Sequence, residues 1–203
     1  MRQPRLAVIV GGHGECEAVP ILIRRIALET DASLSPEILP PFRAHEDKLR
    51  KEGELERYVE LAARKLGGGG GILVLIDCDW DESCPKFDAP PLLSRARARR
   101  PDMKVSVVLA NREFEAWFTA ASRSISGKRG LRADLEVIAD PESIRGAKEW
   151  LRSRMPADRP YTETEDQPAL AQEFDMKEAL RAPSFDKCYR EIRWLLSVSS
   201  EEK

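Results

Sequence analysis

The sequence predicts an α/β fold: a mostly parallel sheet flanked by helices, with a C-terminal helical extension. Three observations carry this. Short apolar runs at residues 6–10, 72–76 and 103–109 are each bounded by turn residues, as buried strands are. Segments with helical spacing of apolar residues separate them, and βαβα alternation makes a parallel sheet. Finally, 203 residues, 42% of them hydrophobic, suffice for one domain with a real core.

The first strand, 6–10, runs into the turn 11–14 and then a helix over about 15–28, with Val19, Leu22, Ile23 and Ile26 on one face. Residues 33–41 carry Leu34, Ile38 and Leu39 among prolines 36, 40 and 41, and predict a short, irregular second strand. A polar helix over 51–66 ends at five glycines, 67–71. The strand 72–76, a helix over 90–100, the strand 103–109 and a helix over 113–121 complete a core at 1–121. Beyond it, 122–203 lacks strand signals and is expected to pack on the same domain. Its helices are predicted at 138–151, 169–180 and 183–196, with 152–167 as loop and a frayed tail after Ser197.

Composition narrows the function classes. The net charge of −2 gives no global basic field of the kind that marks a nucleic-acid coat protein. No apolar run approaches the roughly 20 residues of a membrane span. The N-terminus leads straight into a strand with no leader-like apolar stretch, so the expected location is cytoplasmic. Cys16, Cys78, Cys84 and Cys188 lack paired spacing, and His13 and His45 are the only histidines, so reduced thiols are expected rather than zinc.

The chemistry-bearing residues gather after predicted strands, where the crevice of a parallel sheet lies. Glu15 and Glu17 follow Gly11-Gly12-His13-Gly14. The turn fits neither phosphate-loop pattern, which weighs against a nucleotide-binding regulator. Both glutamates also suit a helix N-terminus. Asp77, Asp79 and Asp81 follow the run 72–76. In an extended Asp-x-Asp both carboxylates point the same way, and the calcium-loop pattern fails at Glu82 and Asp88. Carboxylates converging from two strand ends call for a hard cation, Mg2+ or Mn2+. Glu113 and Glu115, just past the last strand, are accessory candidates with His13 and Glu17. Phe114, Trp117 and Phe118, at i, i+3, i+4, are core anchors. Arg95, Arg97 and Arg99 are candidate phosphate contacts or a solvated helix face.

These stretches resemble a bacterial Toprim-like family of uncharacterised function. The carriers are Val10-Gly-Gly-His-Gly-Glu-Cys-Glu-Ala-Val-Pro-Ile-Leu-Ile-Arg-Arg25, Asp77-Cys-Asp79, Glu113-Phe-Glu-Ala-Trp117 and Tyr161-Thr-Glu-Thr-Glu-Asp-Gln-Pro-Ala-Leu170, running on to Phe174-Asp175 and Ser184-Phe185. Toprim domains occur in topoisomerases, primases and the nuclease domains of overcoming-lysogeny-type defence proteins. The resemblance implies Mg2+ on Asp77 and Asp79, phosphodiester chemistry on nucleic acid, and an ABC- or SMC-like ATPase as partner. One position departs: the family's first glutamate falls on Gly11. Two readings follow. One is a metal-dependent nucleic-acid hydrolase with Glu15, Asp77 and Asp79 as catalytic residues and Asp81 in the metal shell. The other is a catalytically impaired relative that binds an ATPase through the surface of 141–196.

Overall fold

Along β1 (Arg5–Val10), Leu6, Val8 and Val10 face one apolar cluster while Ala7 and Ile9 face another. A strand that is apolar on both faces needs cover on both, and the computed structural model, which describes residues 3–197, supplies it. The chain proceeds through α1 (Glu15–Thr30), β2 (Glu37–Ile38), β3 (Phe42–Arg43), α2 (Glu46–Arg50), α3 (Glu54–Leu66), β4 (Gly71–Cys78), α4 (Pro85–Arg99) and β5 (Lys104–Asn111). Then come α5 (Ala116–Ala120), α6 (Ser122–Ile125), a 3-10 turn at Pro141–Ser143, α7 (Ala147–Arg152), α8 (Glu163–Glu173), α9 (Met176–Ala179) and α10 (Pro183–Leu196). The five-stranded sheet has the order β2-β1-β4-β5, with β3 also on β1, and every pairing is parallel. The expected α/β architecture, a parallel sheet flanked by helices with a helical C-terminal part, is the one observed.

Residues of α1, α5, α8 and α10 share the cluster on one face of the sheet, and residues of α2, α3 and α4 share that on the other. The C-terminal helices are part of the first core: Phe185, Cys188, Ile192 and Leu196 of α10 lie in it with Leu6, Val8 and Leu73. Phe114, Trp117 and Phe118 are core anchors, as their spacing predicts. With Phe174 and Phe185 they form tilted and edge-to-face pairs at 4.5–5.6 Å, favourable geometry beyond their buried area. Trp117 Nε1–H donates to Ser184 Oγ at 2.8 Å, tying α5 to α10.

Several boundaries differ from expectation for identifiable reasons. Prolines 36, 40 and 41 cannot donate to a ladder, so the expected strand splits into β2 and β3, both paired with β1. The helix expected from 51 starts at Glu54, behind left-handed Gly53. Its end holds: Gly67, at φ 69°, caps α3 by donating to Ala63 O and Arg64 O. The strand expected over 72–76 continues to Cys78, which puts Asp77 inside it. α4 begins at Pro85, five residues early, because proline is tolerated in a first turn. The helix expected over 113–121 is a turn followed by α5, and that over 138–151 is the 3-10 turn followed by α7. The loop expected over 152–167 is wrong at its end, where α8 starts at Glu163 with Glu163, Glu165 and Asp166 in its first turn. The helix expected over 169–180 breaks at Phe174, and Asp175 caps α9 by accepting from Lys177 N at 2.7 Å. The tail expected to fray after Ser197 lies outside the described residues. Among the described residues, no helix is long and apolar enough to cross a membrane.

Candidate functional site

β1, β4 and β5 end side by side, with Val10 opposite Leu75 and Asp77 opposite Ala110. The turn after β1, the end of β4 and the loop after β5 therefore open at one edge of the sheet. Glu15, the first residue of α1, is 4% exposed and folds back over that turn. Its Oε2 accepts from Gly11 N at 2.9 Å and Gly12 N at 3.0 Å. Burial raises its pKa above the usual carboxylate range, and the two amides partly hold it down.

Asp77 accepts from Phe114 N at 2.8 Å through Oδ1, and its Oδ2 lies 3.5 Å from Lys148 Nζ. Its pKa stands well above the usual value, first through burial and then through the charges of Glu15 and Glu115. Lys148, on α7, comes in from outside the parallel core. Its ammonium is also 3.9 Å from Glu113 Oε1 and 3.3 Å from Glu163 Oε1, and its backbone N–H donates to Glu113 Oε2 at 3.1 Å. Burial works against the ammonium, but Glu115, Asp77, Glu163 and Glu113 together outweigh it and raise its pKa.

Glu115 lies deepest, at 0% exposure. Its Oε1 accepts from Tyr161 Oη at 2.9 Å and Gln167 Nε2 at 3.1 Å. Its Oε2 and Gln167 Oε1 are buried without a hydrogen-bond partner. Burial pushes its pKa up to about 8, against the field of Lys148 and the Tyr161 hydrogen bond. The Asp-Gln-Pro stretch thus has a structural account. Asp166, 1% exposed, accepts from Thr162 N and Arg159 Nη2, each at 2.9 Å, and sets the start of α8. Gln167 reaches Glu115 from that turn. α8 presses so closely on the glycine turn that a Cβ on Gly14 would lie 2.3 Å from both Gln167 Oε1 and Glu163 O.

The structure brings together Glu15, Asp77, Glu113 and Glu115 around Lys148 and leaves the other candidates outside. Asp79 is 60% exposed and faces Arg112 at 3.5 Å, and Asp81 is exposed. The extended geometry that would align Asp77 with Asp79 stops at Cys78, where β4 ends. His13 and Glu17 are exposed. Arg95, Arg97 and Arg99 do not reach this edge. α4 runs back along the sheet, so these residues sit near the start of β5, where Arg97 donates to Val105 O at 3.1 Å. Arg95 pairs with Glu56 at 2.7 Å and Arg99 with Glu60 at 3.2 Å. Among the described residues, no group of three or more His, Cys, Asp or Glu side chains is gathered closely enough to hold a metal ion.

Lys148, Glu163, Tyr161, Gln167 and Glu46 are site residues the sequence reading did not assign. Glu46, on α2, places Oε2 3.4 Å from where a Cβ on Gly11 would be, with Glu15 Oε2 at 3.7 Å from the same point. The Glu46 carboxylate thus lies over Gly11. Arg112, in the loop after β5, has φ 63°, a left-handed conformation that costs a non-glycine residue about 1 kcal/mol or more.

The family model for a domain of unknown function, DUF4276, matches residues 10–193. Comparison with curated proteins and with solved structures gives no match. The match spans nearly the whole chain, which therefore belongs to the DUF4276 family.

Proposed function

We propose that this DUF4276 chain is a divalent-cation-dependent phosphodiester hydrolase of Toprim type acting on nucleic acid, in a bacterial defence setting. The observation that carries the reading is a pair of carboxylates at adjacent strand ends: Glu15, buried just after β1, and Asp77, half-buried at the end of β4. Both are pushed toward protonation, in a cluster where Asp77, Glu113 and Glu163 face one ammonium. Excess negative charge in a half-closed site suits a hard cation. Mg2+ is commonly held by one or two carboxylates, keeping waters and substrate phosphate in its other positions, so no larger protein cage is needed. The residues present fit that demand: Glu15 and Asp77 would hold Mg2+ or Mn2+. When bound, such an ion lowers the pKa of water and offsets charge on a phosphoryl group.

The chain's own groups do the positioning. The amides of Gly11 and Gly12 fix Glu15 through one oxygen, and Phe114 N fixes Asp77 through Oδ1, while Asp77 Oδ2 faces the Lys148 ammonium at 3.5 Å. Asp79 is exposed, and Arg112, 3.5 Å from it, brings a guanidinium suited to a phosphodiester. The test is incubation of the protein with single- and double-stranded DNA and with RNA, in Mg2+ or Mn2+. Cleavage that EDTA and Asp77→Asn each abolish is expected. Cleavage that survives both, or none on any substrate, overturns the reading.

One observation favours a second reading, a catalytically impaired chain that partners an ABC- or SMC-like ATPase: the position directly after β1 is Gly11. Gly11→Glu separates the two. Cleavage by the variant alone supports the impaired partner, and cleavage by the wild type refutes it.

A further inference from the structure

We infer that Lys148 is a resident counter-cation that competes with the divalent ion for the carboxylates of the site. The inference rests on the proposed hydrolase reading and assigns a residue that sets metal affinity. Lys148 Nζ stands 3.3, 3.5 and 3.9 Å from Glu163, Asp77 and Glu113. A committed ammonium–carboxylate hydrogen bond is about 2.7–2.9 Å long. The ammonium therefore sits among its partners as a shared point charge and is not fixed to one of them, which is how an ion is held.

Three features make it displaceable. Its position along α7 does not depend on the ammonium, because the Lys148 backbone N–H is anchored on Glu113 Oε2. Its side chain is 24% exposed, so the flexible stem has solvent to move into. Glu163, on α8, is 43% exposed and 3.3 Å from the ammonium, a partner that remains once Asp77 is taken. A second observation points inward: Glu115 Oε2 is fully buried without a hydrogen-bond partner, a polar atom that the ammonium leaves unanswered. Asp77, Glu113 and Glu163 share one ammonium, and a divalent ion answers more of their charge.

The experiment compares Mn2+ binding by calorimetry in the wild type and in Lys148→Met, which keeps the stem and removes the charge. The variant is expected to bind about tenfold more tightly. In parallel, acylation of Lys148 in the wild type, followed by peptide mass spectrometry, is expected to speed up severalfold when Mn2+ is added, because the amine is released to solvent. Equal or weaker binding by Lys148→Met, with acylation indifferent to Mn2+, overturns the inference and leaves the hydrolase reading standing. No Mn2+ binding by either protein overturns both. The acylation experiment needs no variant, so a folding defect in Lys148→Met does not remove the test.

Discussion

Gly14→Ala tests how the C-terminal helices are joined to the candidate site. Gly14 has φ −63° and ψ −35°, a helical conformation that alanine adopts freely. On backbone grounds alone the change should stabilise the protein by about 0.4–1 kcal/mol, because alanine has less conformational freedom to lose. Packing gives the opposite sign. The new Cβ would lie 2.3 Å from Glu163 O and 2.8 Å from Glu163 C, and those are backbone atoms that cannot rotate away. Relief requires the first turn of α8 to retreat by about 1 Å, to the 3.5 Å or so of ordinary contact. The same retreat loosens Gln167 from Glu115. Overpacking of this kind costs about 1–3 kcal/mol or somewhat more, so the net loss should be about 2 kcal/mol. For a chain of this size that lowers Tm by roughly 4–8 °C. Urea unfolding followed by tryptophan fluorescence measures it. An unfolding midpoint equal to or above that of the wild type would refute the claim that contact with α8, not backbone conformation, requires glycine here.

Three further outcomes follow from the site. The native state keeps a proton on Glu115 up to about pH 8, whereas the unfolded chain releases it near 4.5, so this group makes stability fall as pH rises across that window. Glu115→Gln should become more stable relative to the wild type as pH rises from 5 to 8, at up to about 1.4 kcal/mol per pH unit; parallel pH profiles in metal-free urea titrations contradict this. Gln167→Leu removes a donor to Glu115 and should cost about 1–3 kcal/mol, read by the same titration, with an unchanged midpoint as the contrary result. Gly11→Glu adds a carboxylate between Glu15 and Glu46, so it should lose about 1–3 kcal/mol in metal-free buffer and recover stability with Mn2+ in thermal shift. Equal stability without metal argues that Glu46 does not crowd that position.

The sheet was legible because its strands are apolar on both faces and bounded by glycines and prolines, a signal that does not depend on distant contacts. Glu15, Asp77, Glu113 and Glu115 were legible for a related reason: each follows or ends a strand of one parallel sheet, and topology alone brings such ends together. Asp79 and Asp81 looked equivalent to Asp77 only while the strand was assumed to continue; where β4 stops, the alternation that aligns side chains stops too. Lys148 and Gln167 carried no local signal of their role. They lie 37 and 56 residues beyond the end of β5, on α7 and α8, and only tertiary packing shows where those helices land. The Asp-Gln-Pro stretch was recognisable as a motif, but its work, capping α8 and holding Glu115, is visible only once Tyr161 and Gln167 are seen on one carboxylate. The arginines of α4 were misplaced because helical periodicity gives a face and not the end of the sheet at which that face lies.

The central claim is that Glu15 and Asp77 together bind a divalent cation, and calorimetric titration with Mn2+ at neutral pH tests it most directly. The account predicts one site per wild-type chain, weakened at least about tenfold by either Glu15→Gln or Asp77→Asn and changed little by Asp79→Asn. An absence of binding, or binding that persists in both Glu15→Gln and Asp77→Asn, would contradict it.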